Sequence, residues 1–107
     1  MRPPIADPDL LGRFKSALVA IYGDRLDRAV LYGSRARGEA DDGSDYDIAV
    51  FLRSMPDGAV EQRRLAELAG AFLDSTGAFV EAFAFPADAI GRRTPLMHEI
   101  RKDGRAL

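Results

Sequence analysis

Apolar residues recur at helical spacing near the start of the chain, at Leu10, Leu11, Phe14, Leu18, Ile21 and Tyr22, and this stripe predicts an amphipathic helix. Asp7-Pro8 supplies a capping side chain followed by a proline at the first helical position, and Gly23 ends the stretch. Arg28 to Tyr32 is short, apolar at Val30 and Leu31, and stops at Gly33, which predicts a strand feeding a turn. From Asp45 to Leu52 the period changes to two. Tyr46, Ile48, Val50 and Leu52 make an apolar face, while Asp45, Asp47, Ala49 and Phe51 make a mixed one.

After a break at Met55-Pro56-Asp57-Gly58, a second helical stripe runs through Leu65, Leu68, Ala69, Phe72 and Leu73. Glu61, Arg63, Arg64 and Glu67 fall largely outside it, and Gly77 lies past its end. Phe79 to Phe85 predicts a third strand, rich in aromatics, ended by Pro86 and interrupted by Glu81. Thr94-Pro95 marks the entry to a last short helix bearing Leu96, Met97 and Ile100, which Asp103-Gly104 terminates. Two strands joined through a helix normally form a right-handed parallel crossover. The Asp45–Leu52 and Phe79–Phe85 strands are therefore expected to be parallel and close, which brings Glu81 toward the two aspartates if the register allows it.

A length of 107 residues is expected to make a single domain spanning 1–107, too small for a catalytic domain plus a separate substrate domain. A formal charge of −2 with many residues of both signs lacks the basic excess of a general nucleic-acid binder. The absence of cysteine removes disulfides and thiolate metal sites. The N-terminal segment lacks the apolar core of a signal peptide, and no run approaches membrane-spanning length. A cytoplasmic protein without membrane contact is expected.

The chemistry concentrates between Leu31 and Leu52, where Gly33-Ser34 is followed by ten residues and then Asp45 and Asp47. Two carboxylates on one face of a strand are costly unless a positive partner is present, and a divalent cation is the natural one. A glycine turn opening onto a helix-prone segment offers N–H groups to a phosphate. Together these features suggest a Mg-nucleotide site.

On these residues the chain resembles the minimal nucleotidyltransferases of the DNA polymerase beta-like superfamily, whose signature is Gly-Ser, a spacer of this length and Asp-x-Asp. The likeness is strong over Leu31–Leu52, and elsewhere rests on element order and on Glu81, which matches the family's third acidic position. It implies an α/β fold, a small mixed β-sheet with helices packed on one face. It also implies transfer of a nucleoside monophosphate from an NTP to an acceptor hydroxyl. Asp45, Asp47 and Glu81 would be catalytic and would hold two Mg²⁺ ions, roughly 4 Å apart, with Glu81 helping to take the proton. Gly33 and Ser34 would bind the nucleotide's phosphates, and Arg35 and Arg37 would add positive charge.

The family's small members are typically antitoxins paired with a helical RNase toxin of the HEPN class. The resemblance thus implies an adenylyltransferase antitoxin that uses ATP to modify a hydroxyl, a tyrosine, of a HEPN-type toxin, with which it can form a hetero-oligomer. Two alternatives stand beside it: a non-catalytic antitoxin module that silences its partner by occlusion, and a catalytic subunit of a small-molecule or RNA nucleotidyltransferase. Blander roles compete at single positions. Asp41 and Asp42 are expected to be solvated loop residues, His98 a structural or surface residue, and Phe79, Phe83 and Phe85 packing residues. Arg35 and Arg37 fit a solvated surface pair as well as they fit phosphate ligands.

Overall fold

The computed structural model describes residues 6–41 and 43–107; Asp42, expected to be solvated, lies outside the described residues. Helix α1, Pro8–Tyr22, begins where Asp7 accepts a hydrogen bond from the Asp9 backbone N–H, and Leu10, Phe14, Leu18 and Tyr22 are its buried stripe. Strand β1, Leu26–Tyr32, runs into the one-turn helix α2, Ser34–Arg37, and strand β2 is Tyr46–Leu52. Helix α3, Gly58–Thr76, starts on Asp57, which caps the N–H groups of Ala59 and Val60. Strand β3, Val80–Pro86, is followed by a 3-10 turn, helix α4, Pro95–Asp103, and a two-residue strand β4, Arg105–Ala106.

The sheet order is β3-β2-β1-β4. Strand β1 is antiparallel to β2 and to β4, while β2 and β3 are parallel as the crossover rule requires. Strand β4 had no periodic signal, being only two residues that pair with Val30 and Leu31. Gly104 makes that return possible, because a Cβ there would collide with the Ile100 carbonyl and the Val30 side chain.

The strand period sorts the core into two layers. Tyr46, Ile48, Val50 and Leu52 join Ala29, Leu31 and Val80 beneath α1 and α3, where the rings of Phe14 and Phe72 meet edge to face with centroids 5.0 Å apart. Val30, Tyr32, Ala49 and Phe51 pack on the other side against Ala89, Met97 and Ile100. The mixed α/β class thus stands, but helices cover both faces of the sheet and not one, because the short stripe of α4 returns onto the Asp47 side.

Two expectations about side chains are corrected. Glu61 is buried, at 2% exposure, and its carboxylate meets Arg25 at 2.5 Å; a distant cation drew it inward. Phe79 and Phe83 are 58% and 41% exposed, so only Phe85 of the three packs, against Phe51 at 5.7 Å between ring centroids. Strand β3 lies at the edge of the sheet, and the 3-10 turn and α4 do not reach across it. His98 and Asp41 are exposed, as expected. Among the described residues no helix is long and apolar enough to cross a membrane.

Candidate active site

Strand β1 ends at Tyr32, and Gly33 turns the chain with φ 75° and ψ −159°, a backbone conformation essentially restricted to glycine. The Gly33 carbonyl accepts from the N–H groups of Ala36 at 3.1 Å and Arg37 at 3.2 Å, which winds α2 directly onto the turn. The absent side chain matters as much as the angle. A Cβ on Gly33 would run into the Asp47 carboxylate, so the serine-bearing turn and the β2 aspartate touch only because position 33 has no side chain.

Asp47 faces Tyr32 across the antiparallel pair and Glu81 across the parallel pair. Its carboxyl is raised to about 6, first by burial, then by the negative charges of Glu81 and Asp45, a hydrogen bond to Glu81, and the charge of Glu99 on α4. The Tyr32 hydroxyl is pushed up to about 12 by burial and by Asp47, Glu99 and Glu81. Asp45 and Glu81 thus lie near enough to Asp47 for their charges to act on it, with Asp47 against the Gly33 turn, Asp45 exposed just before β2 and Glu81 exposed on β3.

Glu99 and Tyr32 are additions that the pattern did not single out. Glu99 lies 52 residues beyond Asp47 along the sequence and carries no motif, yet half-buried on α4 it is near enough for its charge to act on Asp47 and Tyr32. Tyr32 reads in sequence as an ordinary strand aromatic.

An oxygen-only set of crowded carboxylates fits a hard divalent cation such as Mg²⁺, whose charge would relieve the repulsion that lifts Asp47. Among the described residues no group of three such side chains already forms a ready-made cage. Asp47 and Glu81 are the preassembled pair, and Asp45 stands beside them in the preceding loop.

The two arginines part company. Arg37 binds Glu39 at 3.0 Å and Glu99 at 2.8 Å, bridging α2 to α4 at the rim of the acidic group. Arg35 is buried at 7% exposure, donates from Nε at 2.9 Å and from Nη2 at 2.7 Å to the Ser44 carbonyl, and lies 4.1 Å from the centre of the Tyr46 ring. It is therefore not half of a solvated pair, and it points to the sheet face opposite Asp47. A cavity of about 580 Å³ opens there, walled by Arg13, Arg35, Ser44, Tyr46, Thr76 and Phe79 among others.

Comparison with known proteins bears on the fold and the family. A curated relative, the Methanocaldococcus jannaschii protein named "Putative protein adenylyltransferase MJ0141", is 40% identical over 48 residues, which are 45% of this chain and 48% of that protein. The match thus spans about half the length of the relative. Among solved structures, a toxin–antitoxin crystallised with AMP-PNP superposes with a TM-score of 0.62 at 21% identity, covering 88% of this chain and 69% of that one. A mutant of the toxin–antitoxin MntA-HpeT gives 0.61 at 22% identity, covering 90% and 70%. At these identities the superpositions establish the fold. The model of the nucleotidyltransferase domain family matches residues 11–89, more than half of the chain and all of the Gly33–Glu81 arrangement, and the chain belongs to that family.

Proposed function

We propose that this chain transfers AMP from ATP to a hydroxyl of a partner protein, a tyrosine of a HEPN-type toxin, and so acts as the antitoxin of the pair. The observation that carries the reading is the juxtaposition of Asp47 with Glu81 across β2–β3, directly against the Gly33–Ser34 turn. The relative named for protein adenylylation and the toxin–antitoxin structures, one with an ATP analogue, support the acceptor class.

In this reading the triphosphate lies over the turn, where Gly33 allows close approach and Ser34 offers its hydroxyl. Asp45, Asp47 and Glu81 would hold Mg²⁺, which when bound supplies positive charge to the acceptor oxygen and the departing pyrophosphate. The acceptor oxygen attacks the α-phosphorus, a new P–O bond forms as the bond to the β-phosphate bridging oxygen breaks, and pyrophosphate leaves. The acceptor proton passes to the Glu81 carboxylate. Phe83, two residues from Glu81 on the same face of β3, has an exposed ring, an apolar margin on which a protein acceptor can seat beside the reacting group.

Incubation of the protein with labelled ATP, Mg²⁺ and a HEPN partner, followed by intact mass, tests the proposal. A gain of AMP on the partner is expected, and it should vanish when the partner's acceptor tyrosine is changed to phenylalanine. A stable complex with no mass gain would replace transfer by occlusion.

A further inference from the structure

Asp45 and Asp47 are held differently. Asp47 lies within β2, fixed by ladder hydrogen bonds on both sides, whereas Asp45 precedes the first strand residue and is exposed. Its carboxylate is placed through its two neighbours, Ser44 and Tyr46, of which Ser44 bonds to Asp41 and Tyr46 donates its backbone N–H to the Phe79 carbonyl at 2.8 Å. Both neighbours are gripped by Arg35. The guanidinium makes a forked contact to the Ser44 carbonyl and stacks on the Tyr46 ring, and the Tyr46 hydroxyl in turn accepts the Asp7 backbone N–H at 3.1 Å. Arg35 is also the residue after Ser34, so the element that presents the turn and the segment that presents Asp45 are joined through one side chain.

We infer that Arg35 is a positioning residue, which sets Asp45 relative to Asp47 and Ser34 by clamping Ser44 and Tyr46, and not a ligand of the nucleotide phosphates. The inference rests on the reading of the site as a metal-nucleotide centre and assigns a role within it. Its physical basis is geometric. Tyr46 belongs to the sheet face under α1 and α3, so a guanidinium seated on its ring is directed away from the carboxylates. Two N–H donors converging on one carbonyl oxygen fix orientation as well as distance, and stacking on a buried tyrosine adds attraction that a desolvated site strengthens. With the clamp removed, Asp47 keeps its place while Asp45 moves with its loop.

The test compares wild type with Arg35→Met, which retains the packed stem, and Arg35→Lys, which retains the charge but not the fork. Mn²⁺ binding in the presence of AMP-PNP is titrated by electron paramagnetic resonance, and nucleotide binding is measured separately in EDTA. Arg35→Met is expected to raise the Mn²⁺ Kd about tenfold and to lower kcat by about 10- to 100-fold, as small misplacements of reacting groups do. KM for ATP and the affinity in EDTA should stay within about twofold, since no phosphate contact is lost.

Amide exchange at Gly43–Asp45 should rise in the same variant. A tenfold loss of nucleotide affinity in EDTA would overturn the inference in favour of a phosphate ligand. A fall in Tm with unchanged Mn²⁺ affinity would overturn it in favour of packing alone. If Arg35→Met fails to fold, the Lys variant decides, with a raised Mn²⁺ Kd expected and an unchanged one overturning the role. Wild-type protein that binds Mn²⁺ and AMP-PNP yet modifies no partner would defeat the transfer reading while leaving the Arg35 comparison intact.

Discussion

Gly33 lies against the Asp47 carboxylate so closely that a single methyl group at position 33 would collide with it. The same residue has φ 75° and ψ −159°, which a side chain disfavours by about 1–3 kcal/mol. Gly33→Ala is therefore expected to lower stability by at least that amount and to push Asp47 from its place. In an equilibrium urea titration the midpoint should fall, and nucleotide-dependent stabilisation should disappear. A variant with wild-type stability and wild-type ATP binding would mean that the contact has no consequence.

Asp47 adds a pH dependence to the metal-free protein. Its carboxyl is raised to about 6 by burial and by Glu81 and Asp45, so the native state holds a proton that the unfolded chain releases near pH 4. Stability in EDTA should then fall as pH rises from about 4 to about 6, and the contribution should be complete below that window. Asp47→Asn removes the charge and should flatten the slope, raising Tm at pH 7 by about 5 °C. At the same time it, and still more the double change with Asp45→Asn, should abolish Mg-dependent transfer. Thermal melts in EDTA at several pH values, paired with the transfer assay, check both halves.

Much of this arrangement was legible along the chain. The period-two alternation at 46–52 put Asp47 on the mixed face, and the helix between β2 and β3 implied a parallel pair; Asp45, expected on the same strand, lies just before it. Register is what a pattern cannot supply: the folded sheet sets Glu81 opposite Asp47. Positions missed by the pattern depend on contacts between segments distant in sequence. Glu61 is inside because of Arg25, 36 residues earlier, and Glu99 reaches the acids because α4 folds back over the second face. Strand β4 is too short for periodicity to register, and Arg35 carries the same charge in sequence whether it faces phosphate or tyrosine.

Glu81→Gln separates chemistry from binding. The amide keeps the size of the side chain at the edge strand but neither accepts the acceptor's proton nor carries charge. Turnover should fall by about 10²-fold or more, in line with loss of a general base, while KM for ATP changes little. Steady-state transfer kinetics across ATP concentrations give both constants. Unchanged turnover would assign Glu81 to the solvated edge of the sheet.

The Arg25–Glu61 pair offers a control at the far end of the fold. Glu61 is 3% exposed at the side chain, Arg25 is 35% exposed, and the arginine also donates to the Ser54 carbonyl at 2.8 Å from Nη2. Removing the arginine leaves a buried carboxylate with Arg64, 3.5 Å away, as its remaining ion-pair partner among the described residues. Because Arg25 is partly solvated, Arg25→Met is expected to cost about 3 kcal/mol, the lower end of what breaking a buried pair does. Adding Glu61→Gln should recover part of that loss, since the stranded charge disappears with its partner. Chemical denaturation of the two single variants and the double variant measures the coupling. Mg²⁺ and nucleotide affinities should be unaltered in all three, because the pair touches none of Ser34, Asp45, Asp47 or Glu81; a single variant that lost nucleotide binding without losing stability would show that this end of the sheet communicates with the site.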